Sequence, residues 1–156
     1  MDLLALPWTF APAVKASMLT LALVGQIWLT FFIYDRTGKA RMKAGREGRI
    51  TAETYRVVGE EPADLALMTR TLANQFELPV LFYTVVLAHL ALGTGSWLTV
   101  VLAWVFVVMR IVHAREMMGE NRVMLRRKRF FQSMGAFAFM VVELLLAALV
   151  LPWVAT

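Results

Sequence analysis

The chain has 156 residues, of which 60% are apolar and only 17% are charged. A soluble domain usually carries about 45–50% apolar and about 25% charged residues, so this composition excludes a small soluble core and favours a membrane protein with several spans. The sequence contains no cysteine, which excludes disulfides, thiolate metal sites and a catalytic thiol. The net charge of +5 comes from basic residues between apolar stretches, a pattern typical of membrane topology rather than of nucleic-acid binding.

Four apolar segments predict four membrane helices within a single domain over residues 1–156. The predicted helices span about 13–35, 62–92, 97–117 and 130–152. The second and third are separated by Gly93–Ser96, an uncharged segment of turn residues, so these two helices are expected to form a hairpin. Pro62 and the acidic residues around it favour a helix start, and this helix is expected to run unbroken to residue 92. Pro79 removes a hydrogen bond to the carbonyl of Gln75 and is expected to kink it.

Basic residues concentrate in two loops, between 35 and 69 and between 114 and 129, whereas the turn at 93–96 carries no charge. The positive-inside rule predicts both basic loops in the cytoplasm, with both termini and the turn on the other side of the membrane. Asp2 stands where a signal peptide would have a basic region, so no cleavable signal is expected.

The hairpin is too short to cross a membrane with its apolar residues alone. A span needs about 20 residues, but the apolar stretches that begin at Leu78 and Trp97 contain about 15 and about 13. The helices must therefore carry Glu77, Arg110 and His113 into the membrane. At about 1.5 Å per residue these three residues lie roughly 26, 23 and 28 Å from the turn, at one level on neighbouring helices.

Two further polar residues, Arg70 and Asn74, lie on the same helix as Glu77 and one to two turns closer to the cytoplasmic side. Arg70, Asn74 and Glu77 follow the i, i+4, i+7 spacing of one helix stripe, and Arg110 and His113 are three residues apart. Ionisable groups at such depth pair, face the bundle interior or line a wet cavity. Two interpretations stay open: Glu77 pairs with a base and joins the helices, or the cluster, which has an excess of cations, surrounds an anionic ligand.

The motif in the second helix resembles the corresponding signature of the MAPEG family, the membrane-associated proteins of eicosanoid and glutathione metabolism. The matching segment reads Arg70-Thr71-Leu72-Ala73-Asn74-Gln75-Phe76-Glu77-Leu78-Pro79-Val80-Leu81-Phe82. The segment Arg110-Ile111-Val112-His113 is similar to the family's third-helix pattern, and Asn121 with Arg126 is similar to the pattern of its shorter bacterial members.

The resemblance implies an all-α integral membrane four-helix bundle that forms a homotrimer, in the inner membrane of a bacterium with periplasmic termini. It implies that glutathione binds between subunits near the cytoplasmic leaflet, and that the protein is a glutathione-dependent transferase or peroxidase for a lipophilic electrophile from the bilayer. Arg126 resembles the catalytic arginine beside the glutathione sulfur. The residues similar to glutathione-binding positions are Arg70, Asn74, Glu77, Arg110 and His113; no metal site is expected.

The sequence departs from the family pattern at three positions, where it has Ala73, Met117 and Phe130. Many members carry a basic residue, a tyrosine, and a serine or tyrosine at or near these places. The departures favour an alternative function, a non-catalytic membrane subunit that has lost glutathione chemistry.

Three polar residues outside the motif are expected to be structural. Glu143 is predicted near mid-bilayer, where an ionised carboxylate is costly. His89 is predicted to be a hydrogen-bonded histidine near the outer end of its helix, because no second metal ligand has suitable spacing. Gln26 is predicted to form a hydrogen bond to another helix.

Overall fold

The computed structural model of the chain describes residues 6–56 and 60–154, with side chains for 11–56 and 60–150; Asp2 lies outside this range. The described residues form five α-helices and one short 3-10 helix, Glu53–Tyr55, and contain no strand. The α-helices are α1 Leu6–Arg46, α2 Ala63–Ala73, α3 Leu78–Leu92, α4 Trp97–Met118 and α5 Val123–Val154.

Four stretches of the described chain are long and apolar enough to cross a membrane. They are Ala11–Arg46, Ala63–Leu92, Trp97–Met118 and Val123–Val150. The second stretch combines α2 and α3, and the others correspond to α1, α4 and α5. The prediction of an all-helical membrane protein with four apolar helices is confirmed.

Helix α1 extends beyond the span predicted at 13–35. Its 41 residues measure about 60 Å, twice the thickness of a hydrocarbon core of about 30 Å. The extension packs on the loop that follows it and on the start of α2 through buried Ala44, Ile50 and Leu65. Arg41 Nη2 donates to Glu61 Oε1 at 2.9 Å and to the hydroxyl of Thr69 at 2.8 Å. These contacts explain why part of the predicted first loop is helical.

The expectation of an unbroken helix over 62–92 is wrong, because the helix is interrupted between Ala73 and Leu78. Pro79 occupies the first turn of α3, where its missing N–H costs no helical hydrogen bond. Before the interruption, the N–H groups of Gln75 and Phe76 donate three residues back, to Leu72 and Ala73, which tightens the end of α2. Pro79 therefore marks the beginning of a new helix rather than a kink within one.

The core lies around the hairpin of α3 and α4. The rings of Phe82 and Phe106 stack at 4.2 Å between centroids, and Leu19 and Met140 close the cluster from α1 and α5. Gly95 in the turn approaches α1 so closely that a Cβ there would lie 2.8 Å from Leu19 Cδ1. Helix α5 packs most extensively on α4, and α1 packs on α2, α3 and α4. This packing holds α4 beside the interruption between α2 and α3.

Candidate functional site

The interruption between α2 and α3 provides a main-chain hydrogen-bond acceptor inside the bundle. The carbonyl of Asn74 accepts Nη2–H of Arg110, on α4, at 2.8 Å. Arg110 is completely buried, and its Nε and Nη1 have no hydrogen-bond partner among the described residues. A buried guanidinium is costly unless its donors are satisfied. Within the described residues, two donors of this buried cation are thus left without an acceptor.

The side chain of Asn74 lies beside Met117, near the end of α4. Asn74 is half-buried, and its Nδ2 lies 3.5 Å from Sδ of Met117, which is completely buried. A thioether sulfur is only a weak acceptor. At this position the structure has an apolar, polarisable group.

His113 connects α4 with the beginning of α5. Its Nδ1–H donates to the main-chain carbonyl of Arg126 at 3.0 Å, and its ring centroid lies 5.9 Å from that of Phe130. The other ring nitrogen, Nε2, is buried without a partner in the described residues. When Nδ1 carries the proton of the neutral ring, the Nε2 lone pair is free to accept a hydrogen bond.

The loop between α4 and α5 orients Arg126. Its half-buried guanidinium donates through Nη1 to Asn121 Oδ1 at 2.5 Å. Asn121 has a φ of 50°, in the left-handed region, and its N–H donates to the carbonyl of Glu116 at 2.8 Å. Asparagine adopts this conformation more readily than other non-glycine residues. The loop therefore holds an arginine at the start of α5 through one asparagine.

Arg70 and Glu77 differ from the other four predicted site residues. Contacts in the structure link Asn74 to Arg110 and His113 to Arg126. The end of α2 also contacts α4 where Asn74 lies beside Met117. Arg70 and Glu77 are exposed and form no side-chain hydrogen bond or salt bridge within the described parts of the chain. The interpretation in which Glu77 pairs with Arg110 or His113 is therefore not observed, because the interruption after Ala73 leaves Glu77 on the outer face.

One polar residue beside the motif was not identified from the sequence. Gln75 is completely buried, and its Oε1 accepts Nε2–H of Gln26 at 3.0 Å. The predicted interhelical hydrogen bond of Gln26 is confirmed, with Gln75 as its partner. The sequence does contain a signal for this residue, because Gln75 directly follows Asn74 and therefore lies about 100° around the helix from the stripe of Arg70, Asn74 and Glu77. A glutamine at that position indicates a hydrogen bond to another helix.

Two further predictions concern the opposite end of the bundle. His89 bonds through both ring nitrogens, to the hydroxyl of Thr94 at 3.0 Å and to the carbonyl of Met140 at 3.1 Å, so the prediction of a hydrogen-bonded histidine is confirmed. The Oε1 of Glu143 accepts the hydroxyl of Ser96, in the turn, at 2.7 Å, so this carboxylate joins α5 to the start of α4.

Comparison with known proteins assigns most of the helical chain to one protein family. The model of the MAPEG family matches residues 18–146, which is most of the chain. The chain belongs to the MAPEG family. It is thus a membrane four-helix bundle related to the proteins of glutathione and eicosanoid metabolism, as the motif in 70–82 indicated. Comparisons with curated proteins and with solved structures found no match.

Proposed function

We propose that this MAPEG protein is a glutathione-dependent membrane transferase or peroxidase that acts on a lipophilic electrophile. The observation that carries the proposal is the buried guanidinium of Arg110, with two donor groups that nothing in the described chain satisfies. Such donors are strongly destabilising unless an acceptor fills the space beside them. An anionic ligand with carboxylates provides that acceptor.

The residues around Arg110 suit the functional groups of glutathione. Arg110 and Arg70 would bind its carboxylates, because guanidinium donors match carboxylate oxygens two at a time. Nε2 of His113 would accept a hydrogen bond from an amide or the ammonium group. Glu77 would accept the ammonium group, a role consistent with its exposed position. Its other proposed role, to orient Arg110, would require its side chain to turn inward.

Arg126 is proposed as the catalytic residue. Bound glutathione supplies a thiol, which has a pKa of about 8.5 and is mostly protonated at neutral pH. A guanidinium close to the sulfur stabilises the thiolate and lowers that pKa. The hydrogen bond from Arg126 to Asn121 fixes the direction of the guanidinium, so the charge is in place before the thiolate attacks the electrophile.

A homotrimer would complete the site. Arg70 and Glu77 lie on a face that also exposes Phe76, whose surface is 58% accessible. A face with two charged residues at membrane depth is unfavourable against lipid. Packing against a second copy of the chain would cover it and place Arg70 and Glu77 at a subunit interface, where the ligand would bind.

Membrane placement is part of the same proposal. The basic residues at the C-terminal end of α1, in the segment that follows it and at the start of α5 favour a cytoplasmic position for the end of the bundle that holds Asn74 and Arg126. We propose an inner-membrane protein of a bacterium, with periplasmic termini and with cytoplasmic loops between the first and second spans and between the third and fourth.

A specific observation favours a second candidate function, a non-catalytic MAPEG subunit. Met117 occupies the space beside Asn74, and Phe130 packs near the ring of His113. Neither side chain donates a strong hydrogen bond to a ligand or to its sulfur. In this alternative the fold is kept as a scaffold while the reaction is lost.

Titration with glutathione distinguishes the two functions. Detergent-solubilised protein is titrated while thermal stability and thiolate absorbance are followed, for the wild type, Arg126→Ala and Arg127→Ala. Arg127 is the matched control, because it is exposed and lies over the ring of Phe131 at 5.6 Å. Saturable stabilisation with a thiolate signal that Arg126→Ala abolishes and Arg127→Ala preserves supports the enzyme. No binding up to millimolar glutathione supports the subunit.

A further inference from the structure

A groove of about 700 Å³ lies between α1 and α4, apart from the proposed glutathione site. None of the six residues proposed to act on glutathione lines it. Its wall includes Trp28 and Phe32 of α1 and Ile111 and Met118 of α4. Trp28 is 69% exposed and Phe32 is 52% exposed, so large apolar side chains are open to the surroundings of the bundle.

The groove is apolar at one end and basic at the other. Two arginines line it, Arg36 on α1 and Arg115 in the last turn of α4, and both lie where their helices approach the basic loops. From Gly25 to Arg36 the groove follows α1 for about 16 Å, which is about half of a hydrocarbon core of about 30 Å. The groove therefore has the length of one leaflet and its charge at the level of the headgroups.

The charge of the two arginines is not neutralised within the described chain. Asp35 is paired with Lys39 at 2.6 Å, and Glu116 is paired with Arg122 at 2.8 Å. Neither Arg36 nor Arg115 forms a salt bridge among the described residues, and the guanidinium of Arg36 lies 5.9 Å from the ring centroid of Phe32. Among the side chains that the structure describes, no carboxylate lines the groove. The mouth is thus complementary to a negatively charged group.

We propose that the α1–α4 groove binds one anionic phospholipid. Its phosphate lies between Arg36 and Arg115, which can donate to phosphate oxygens in pairs. Its acyl chain lies along Trp28, Phe32 and Ile111. Basic pockets between membrane helices on the cytoplasmic side are suited to anionic headgroups, and each arginine near the surface contributes about fivefold to binding.

Lipid selectivity tests the proposal. Delipidated protein in detergent receives phosphatidylglycerol or phosphatidylcholine with identical acyl chains, and bound lipid is counted by native mass spectrometry at low salt. We expect a preference of about 30-fold for phosphatidylglycerol in the wild type, from two arginines. The double variant Arg36→Gln with Arg115→Gln should lose it, and Arg46→Gln with Lys128→Gln should keep it, because those two basic residues are exposed and do not line the groove.

Equal binding of the two lipids by the wild type, or a preference that survives in the double variant, would overturn the proposal. Equal thermal stability of the double variant and the wild type in phosphatidylcholine shows that the variant is folded; if it is not, the wild-type preference alone decides. Inorganic phosphate should not displace the lipid, and displacement by phosphate also overturns the proposal.

A second measurement asks whether another protein chain fills the groove. Because the sequence contains no cysteine, Ile111→Cys introduces a single thiol that a spin label can occupy. Collisional relaxation by lipid-soluble oxygen is expected in vesicles with phosphatidylcholine. Protection from oxygen, together with spin–spin coupling between copies, would show a subunit contact and contradict the lipid site.

Discussion

The guanidinium of Arg110 donates to the main-chain carbonyl of Asn74 across 2.8 Å, and thereby joins the middle of α4 to the interruption in the preceding span. Asn74 offers that carbonyl because α2 ends there, four residues before α3 begins at Leu78. The contact thus joins the interruption before Pro79 to the buried guanidinium of Arg110 on the neighbouring helix. It also makes both features testable by substitution.

Removal of Arg110 is expected to destabilise the fold. Arg110→Ala leaves the carbonyl of Asn74 without this donor and opens a cavity, but it also removes two unsatisfied donors, so the free energy of unfolding should fall by only about 1–2 kcal/mol. The measurement is thermal and chemical unfolding in detergent. Arg127→Ala, an exposed arginine on α5, should change stability by less than about 0.5 kcal/mol. Equal effects of the two variants would show that Arg110 has no special structural role.

Replacement of Pro79 should extend helical hydrogen bonding across the interruption. Pro79→Ala restores an N–H that can donate to the carbonyl of Gln75. We expect slower amide hydrogen exchange in the segment around Glu77, measured by mass spectrometry. We also expect a loss of about 1–3 kcal/mol of stability, because the carbonyl of Asn74 would move from Arg110. Unchanged exchange would indicate that packing, rather than the proline, ends α2.

The pair Gln26 and Gln75 should contribute modestly to stability. Gln26 Nε2 donates to Gln75 Oε1 at 3.0 Å inside the bundle, and Gln26 Oε1 is buried without a partner in the described residues. A double-mutant cycle with leucine at both positions should give a coupling energy of about 0.6 kcal/mol, at most about 1.7 kcal/mol, as for other hydrogen bonds between membrane helices. Gln75 keeps its hydrogen bond to the carbonyl of Thr71 when Gln26 is replaced, so the double variant should lose less stability than the sum of the two single variants, by this coupling energy. Additive losses would contradict this.

Periodicity and span length predicted the helical class and the hairpin, and they brought the motif around Asn74 close to Arg110 on a neighbouring helix, because hydrophobic burial and helix rise act locally along the chain. They did not predict where α2 ends. The end of α2 leaves the main-chain carbonyl of Asn74 to be bonded by Arg110, which lies on another helix. The exposed position of Glu77 follows from the same break, so helix spacing alone could not place it.

The sequence did not indicate the partner of Glu143, whose carboxylate accepts the hydroxyl of Ser96 in the turn. That contact depends on how α5 packs beside the turn, which the pattern of α5 alone does not show. Gln75 was missed for a related reason: the motif directed attention to one face of the helix, while Gln75 uses another face to reach Gln26.

Two substitutions of Asn121 can distinguish its effect on the conformation of the α4–α5 loop from its effect on the orientation of Arg126. Its φ of 50° suits glycine better than alanine, so Asn121→Ala should cost about 1 kcal/mol of stability and Asn121→Gly much less. Both substitutions remove the oxygen that accepts Nη1–H of Arg126. If this hydrogen bond positions the guanidinium for a thiolate, both variants should weaken the glutathione thiolate signal in the titration to a similar extent, although only the alanine variant unfolds earlier. A thiolate signal that follows stability, lost in Asn121→Ala and kept in Asn121→Gly, would show that the asparagine acts through the loop conformation and not through Arg126.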